Sequence, residues 1–242
     1  MQTQQAIIAK YDNTKIKNYD AFIGLPLEIF KKGLSREAIG FYIVLSSYAG
    51  LCVHYEGKKA LVMSSARDLL QLIKWNTKKA NILAILNELV DAKLIQVYNR
   101  DDSGEKFDII FPRINQDKKE RFAKLYAAAI RKIISKATGK VLLSRLVFYA
   151  AMRTGIFENS TSSQIFEQSP CYVAQITGIN ADVIRHNFKW LRDNDIVAFY
   201  RCKVTPDLGY DRYYYAEYRD WKKLKDVING YIKQDVVREV IA

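Results

Sequence analysis

One pattern occurs twice along these 242 residues. Each copy reads as an apolar helix, a short helix, a longer helix with a polar N-terminal face, and then two strands. The copies lie about 110 residues apart, and a repeat of that size implies two domains of one architecture.

In the first copy Ser35 is placed to cap a helix with apolar positions at Ile39, Tyr42, Ile43 and Leu45, ending at Gly50. Leu51 to Val53 and Ala60 to Met63 flank Glu56-Gly57 as a small hairpin. The run Ser64-Ser65-Ala66-Arg67-Asp68 opens a short helix with capping chemistry. Asn76 then caps a third helix, whose Ile82, Ile85, Leu86 and Leu89 recur at spacings of three and four and form a core face. Its other side begins with Thr77, Lys78, Lys79, Ala80, Asn81 and Ala84. Strands at Ile95 to Asn99 and Phe107 to Phe111 flank a turn at Asp101-Asp102-Ser103-Gly104.

The second copy starts with an almost wholly apolar helix, Leu142 to Met152, and a polar loop, Asn159 to Gln164. Pro170 suits the first turn of a short helix that stops at Gly178, and Asn180 caps the next, with Val183 or Ile184, Phe188 and Leu191 inward. Strands Ile196 to Thr205 and Tyr210 to Tyr218 pair across Pro206-Asp207-Leu208-Gly209. Lys118 to Lys136 reads as an amphipathic helix joining the copies. Trp221, Leu224, Ile228 and Tyr231 form an apolar stripe on a final helix, with further apolar content to Ile241. The expected fold is therefore mainly α with small β-hairpins, an α+β chain. Its parts are an arm (1–20), a first domain (21–115), a linker helix (116–138), a second domain (139–219) and a C-terminal helix (220–242).

Charge then narrows the partner. Lys and Arg number 38 against 26 Asp and Glu, a formal charge of +12 that concentrates polyanions at the surface. Residues 1–115 hold 16 basic and 12 acidic side chains and the remainder 22 and 14, so the second copy is expected to carry the stronger field. Cys52, Cys171 and Cys202 are odd in number and widely spaced, which fits a reducing compartment better than a disulfide framework. No run reaches the roughly 18 apolar residues of a membrane span, and the first 17 residues lack the apolar centre of a signal peptide. A cytoplasmic protein without membrane contact is expected.

A helix fits the major groove, where base edges present distinguishable donors and acceptors, while hairpins and helix ends meet phosphates. For the first copy this nominates Thr77, Lys78, Lys79 and Asn81 on the helix, with Arg100 and Lys106 beside the hairpin turn. For the second it nominates Asn180, Arg185, His186 and Lys189, with Arg201, Lys203 and Arg212 on the hairpin. Asn81 suits adenine and Arg185 guanine. Catalysis is not expected. His54 and His186 are the only histidines and lack metal-ligand spacing, no phosphate-binding glycine motif occurs, and Tyr213-Tyr214-Tyr215 with Tyr218 reads as strand packing rather than as nicking chemistry. No cofactor or metal is expected.

The first copy also carries a family likeness. Gly24-Leu25-Pro26-Leu27-Glu28-Ile29-Phe30, then Leu34-Ser35-Arg36-Glu37-Ala38, then Leu69-Leu70-x-Leu72, and finally Asn87-Glu88-Leu89-Val90-Asp91-Ala92-Lys93-Leu94-Ile95 resemble winged-helix domains of plasmid replication initiators and phage replisome organisers. The resemblance covers residues 22–111. With the repeat it gives two tandem winged helix-turn-helix domains, and the resemblance implies recognition of repeated sites in double-stranded DNA at an origin and engagement of host replication proteins. A homodimer on palindromic sites would suit the apolar final stripe. The alternatives are a transcription regulator of a mobile element, using the same binding chemistry, and an adaptor whose winged helices bind protein.

Overall fold

The computed structural model describes residues 3–14, 21–100, 105–112, 122–156, 164–206 and 209–242. The expected turns at Asp101 to Gly104 and at Asp207 and Leu208, the loop from Asn159 to Ser163, and Lys118 to Arg121 of the expected linking helix lie outside the described residues. The chain mixes α-helices with small antiparallel sheets and divides into two units, one of residues 21–150 and the other of 1–20 with 151–242. The first unit thus extends well past residue 115. The chain starts in the second unit, with α1 (Gln4–Ile8), and returns to it.

In the first unit, β1 (Phe22–Pro26) leads to α2 (Arg36–Tyr48), which is buried from Ala38 to Ser46. The Ser35 Oγ accepts from the Ala38 amide at 3.1 Å, as its position promised. The same serine donates through its amide and, at 2.7 Å, its hydroxyl to the Glu88 carboxylate, which ties the start of α2 to a later helix. β2 (Gly50–Cys52) and β3 (Lys58–Ser65) form the expected hairpin, followed by α3 (Ala66–Leu72), α4 (Lys79–Asp91), β4 (Gln96–Asn99) and β5 (Lys106–Phe111). These four strands form one antiparallel sheet in the order β2-β3-β5-β4.

The expected linker helix is corrected. Its first described part is β6 (Phe122–Tyr126), paired antiparallel with β1 so that Phe22 faces Tyr126, and only then does α5 (Ala127–Lys136) begin. Ala123 and Leu125 are buried and Phe122 faces outward, stacked on Phe22 at 6.4 Å, with Tyr126 also buried where the strand ends. Pairing satisfies the backbone of β1, a reward that no local helix propensity competes with once the strands meet. α6 (Gly139–Thr154) belongs to this unit as far as Ala150, and its Leu143 backbone lies against Gly40 of α2.

In the second unit α7 (Pro170–Thr177) begins behind a Ser169 cap and stops at Gly178, which takes φ +66°. α8 (Ala181–Asp193), β7 (Val197–Val204) and β8 (Arg212–Glu217) follow, then α9 (Trp221–Lys233) and β9 (Val237–Val240). The C-terminal reading needs correction here: the helix ends at Lys233, and the valine-rich segment becomes a third strand beside β7. Trp221, Leu224 and Ile228 are buried with Tyr200, Cys202, Val204 and Tyr214, so of the two expectations for this stripe, packing on the second domain or meeting a second subunit, the first holds. The opposite side of the sheet receives α8, with Phe188 and Tyr215 rings 5.1 Å apart.

The N-terminal segment completes this core. Ile7 and Tyr11 are buried in it; the Tyr11 hydroxyl accepts from the Phe199 amide at 3.1 Å, and Tyr200 donates to the Ile8 carbonyl at 2.6 Å. Burial pushes the Tyr11 phenol and the Cys202 thiol up to about 12, and likewise the Tyr231 phenol. The unfolded chain releases these protons from about pH 9 upward while the folded unit retains them, so stability falls as pH rises toward 12. Burial lowers Lys10 to about 8, which works in the opposite sense between pH 8 and its ordinary range, but it is one group against several. The second unit is therefore expected to lose thermal stability between pH 8.5 and 11 to a greater extent than the first, where the Tyr42 and Tyr55 phenols are raised as well. Hydrogen exchange resolved by unit across that range checks it; equal loss in both units would contradict it.

Candidate nucleic-acid interface

In the first unit a capping box starts α3: the Asp68 amide donates to Ser65 Oγ at 3.2 Å, and the Ser65 amide donates back to the Asp68 carboxylate at 3.0 Å. The helix reverses without glycine. Lys74 adopts φ +49° and the Trp75 amide reaches back to the Leu70 carbonyl at 3.0 Å. α4 then starts two residues later than Asn76 promised, with Lys78 as its cap residue. Ile82, Ile85, Leu86 and Leu89 face inward as expected, and Lys78, Lys79, Ala80, Asn81 and Ala84 are exposed. Thr77 Oγ1 accepts from Asn81 Nδ2 at 2.6 Å, so these two polar groups hold one another across a turn.

The flanking hairpin differs from its sequence reading. Arg100 Nε lies 2.5 Å from Asp108, whose fully buried carboxylate also accepts from the Tyr55 hydroxyl. Arg100 therefore ties the hairpin's two strands together with its charge matched inside the fold, and Tyr55 joins the same carboxylate to the segment after β2. Lys106 is exposed on β5, its carbonyl bonded to the Arg100 amide at 2.8 Å.

In the second unit Asn180 Oδ1 accepts from the Asp182 amide at 2.8 Å, which spends its side chain on the cap. Ile184, Phe188 and Leu191 point inward with Asn187, so Ile184 and not Val183 is the core residue. Val183 is 41 % exposed beside Arg185, His186 and Lys189, and gives the outer face of α8 an apolar contact of the kind that suits a thymine methyl. Arg185 pairs with Asp182 one turn earlier. On the hairpin Arg201 pairs with Asp211, and Lys203 pairs with Glu239 of β9 at 2.9 Å. Arg212 is exposed on β8.

Sequence reasoning overlooked Arg238 and Tyr210. With Lys203, Gly209 and Asp211 they line an open cavity of about 360 Å³ at the hairpin end. The signal was available in Asp235-Val236-Val237-Arg238-Glu239-Val240, where β-branched residues flank a charged pair, as an edge strand does. Arg192 was also passed over; its guanidinium lies 4.7 Å from the Phe199 ring centre and 5.0 Å from that of Tyr213.

The units correct the charge argument. Residues 21–150 contain 22 Lys and Arg against 12 Asp and Glu, a net +10, whereas 1–20 with 151–242 contain 16 against 14, a net +2. The stronger field belongs to the first unit because the basic stretch from Arg113 to Arg145 belongs with it. No protein-family model, curated protein or solved structure matches the chain. Among the described residues no group of three or more His, Cys, Asp or Glu side chains is arranged to hold a metal ion, and no helix is long and apolar enough to cross a membrane.

Proposed function

We propose that this chain is a sequence-specific double-stranded DNA-binding protein of two winged-helix units, acting in the cytoplasm as a plasmid or phage replication initiator. One observation carries the reading: both units place a short helix, a 13-residue helix and an antiparallel hairpin in succession, and each longer helix turns amide or basic side chains outward. That order supports a helix in the major groove and a hairpin beside it as a wing. The junctions support it too. Lys93 after α4 and Asp195 after α8 both take positive φ, and Leu94 and Ile196 both donate back five residues, so the two hairpins leave their helices by the same turn. The replication role rests on the likeness of residues 22–111 to initiator domains. Origin repeats are the proposed sites and host replication proteins the proposed partners.

Selection from a random double-stranded DNA library tests the reading, and Arg185→Ala then tests the assignment of α8. The variant is expected to lose about tenfold or more of the preference for selected over random DNA, the worth of one bidentate base contact. Full discrimination by the variant would remove α8 from the reading surface, and failure of the wild-type protein to select any motif would defeat sequence-specific binding itself.

A further inference from the structure

Two segments far apart in sequence meet in the first unit. The Gly139 amide, at the corner between α5 and α6, donates to the Ile73 carbonyl, at the turn between α3 and α4, at 2.8 Å. Gly139 adopts φ +55°, and a Cβ there would stand 3.1 Å from the Trp75 ring. The close approach therefore depends on glycine, and it seats the corner on the turn. Lys140 lies over that same ring, its Nζ 5.8 Å from the centroid.

The consequence is electrostatic. Lys74, Lys78 and Lys79 come from the turn and the start of α4, and Lys136 and Lys140 come from the corner, all within six residues of the Ile73–Gly139 hydrogen bond. All five are exposed. Among the described residues only Lys140 of the five is paired with a carboxylate, Glu37 at 3.4 Å, and its side chain remains 66 % exposed. In the second unit Arg185, Arg201, Lys203 and Lys225 each face an Asp or Glu, while Lys222 and Lys233 of α9 are exposed. An ion pair already made offsets what a phosphate would gain, whereas a solvated lysine releases counterions when it meets one.

We propose that this five-lysine seam grips the phosphate backbone of double-stranded DNA beside the bases faced by α4, and that it supplies more of the sequence-independent affinity than the exposed lysines of α9. The proposal rests on the double-stranded DNA reading above. It extends the interface to Lys136 and Lys140, which no helix-turn-helix pattern in the sequence would nominate. The seam positions the protein and does not choose the sequence.

The test compares two double variants of the full chain, Lys136→Gln with Lys140→Gln in the seam and Lys222→Gln with Lys233→Gln on α9. Both remove two exposed positive charges. Binding to a selected duplex and to a random one is measured over a range of salt concentrations. The seam variant is expected to lower the slope of log K against log salt by about 2, near the 0.9 per phosphate contact of B-DNA, and to weaken both duplexes alike. The α9 variant is expected to leave the slope nearly unchanged. Wild-type binding with equal slopes for the two variants would overturn the seam alone; absence of salt-dependent duplex binding by the wild-type protein would overturn the function and the seam together.

Discussion

Replacing Gly40 by alanine is expected to destabilise the first unit by about 3 kcal/mol, although alanine in a helix interior ordinarily gains about 1 kcal/mol over glycine. A Cβ at Gly40 would stand 2.4 Å from the Leu143 carbonyl oxygen and 2.7 Å from the Leu143 Cα. Those atoms are backbone within α6, which cannot rotate aside as a side chain would. α2 would have to move, and it is buried from Ala38 to Ser46 against the rest of the unit. Gly230, inside α9, provides the contrast, since nothing lies within 4 Å of its virtual Cβ. Gly230→Ala is expected to follow propensity and stabilise. Denaturant melts of both variants decide the matter, and a stabilised Gly40→Ala protein would show that α2 and α6 do not meet backbone to backbone.

The second large effect is expected from Tyr11→Ala, about 3 kcal/mol lost from the second unit, the magnitude of removing a buried aromatic ring. Tyr11 is 9 % exposed, packs edge-on against Tyr200 and Tyr218 at 6.0 and 5.8 Å, and accepts the Phe199 amide. Truncation leaves a cavity and an amide of β7 without its partner. Asp12 adds an ion pair to Lys225 at 2.6 Å. Residues 151–242 expressed without the first 14 are accordingly expected to fail to form a cooperative unit. Hydrogen exchange in β7 and α9 of the full-length Tyr11→Ala protein is the direct measurement. Unchanged protection there would mean that the N-terminal segment merely rests on a core complete without it.

These expectations show where local pattern suffices. The inward faces of α4 and α8 were legible because Ile82, Ile85, Leu86 and Leu89, and Ile184, Phe188 and Leu191, recur at helical spacing. Ser35, Ser169 and Asn180 were legible as caps because capping is settled within a few residues. β6 was not. Phe122-Ala123-Lys124-Leu125-Tyr126 satisfies either period, and the deciding partner, β1, lies about 100 residues earlier. β9 and the docked Tyr11 depend in the same way on β7, a distant strand.

Of the candidate interface, the outward faces of the two longer helices could be read, but the state of each cation could not. Whether Arg100 meets Asp108 or solvent is decided by a cross-strand pair, in which Tyr98 faces Asp108. Arg201 with Asp211 and Lys203 with Glu239 were equally invisible, because charge counted along a chain ignores which carboxylates fold back onto it. The stronger field was assigned to the other unit for a different reason, because the basic stretch from Arg113 to Arg145 folds with the first unit.

The return of the chain to its starting unit also sets an order of events during synthesis. Tyr11 and its partner Phe199 are separated by 188 residues, which at roughly 5–20 residues per second is a wait of about 10–40 s on the ribosome. The 21–150 unit has all its residues well before that wait ends, and Ile7 and Tyr11 spend the interval as an apolar tether with no β7 to receive them. Folding of the second unit is thus gated by translation. A nascent-chain chaperone or a pause late in the message would act on this protein through that tether.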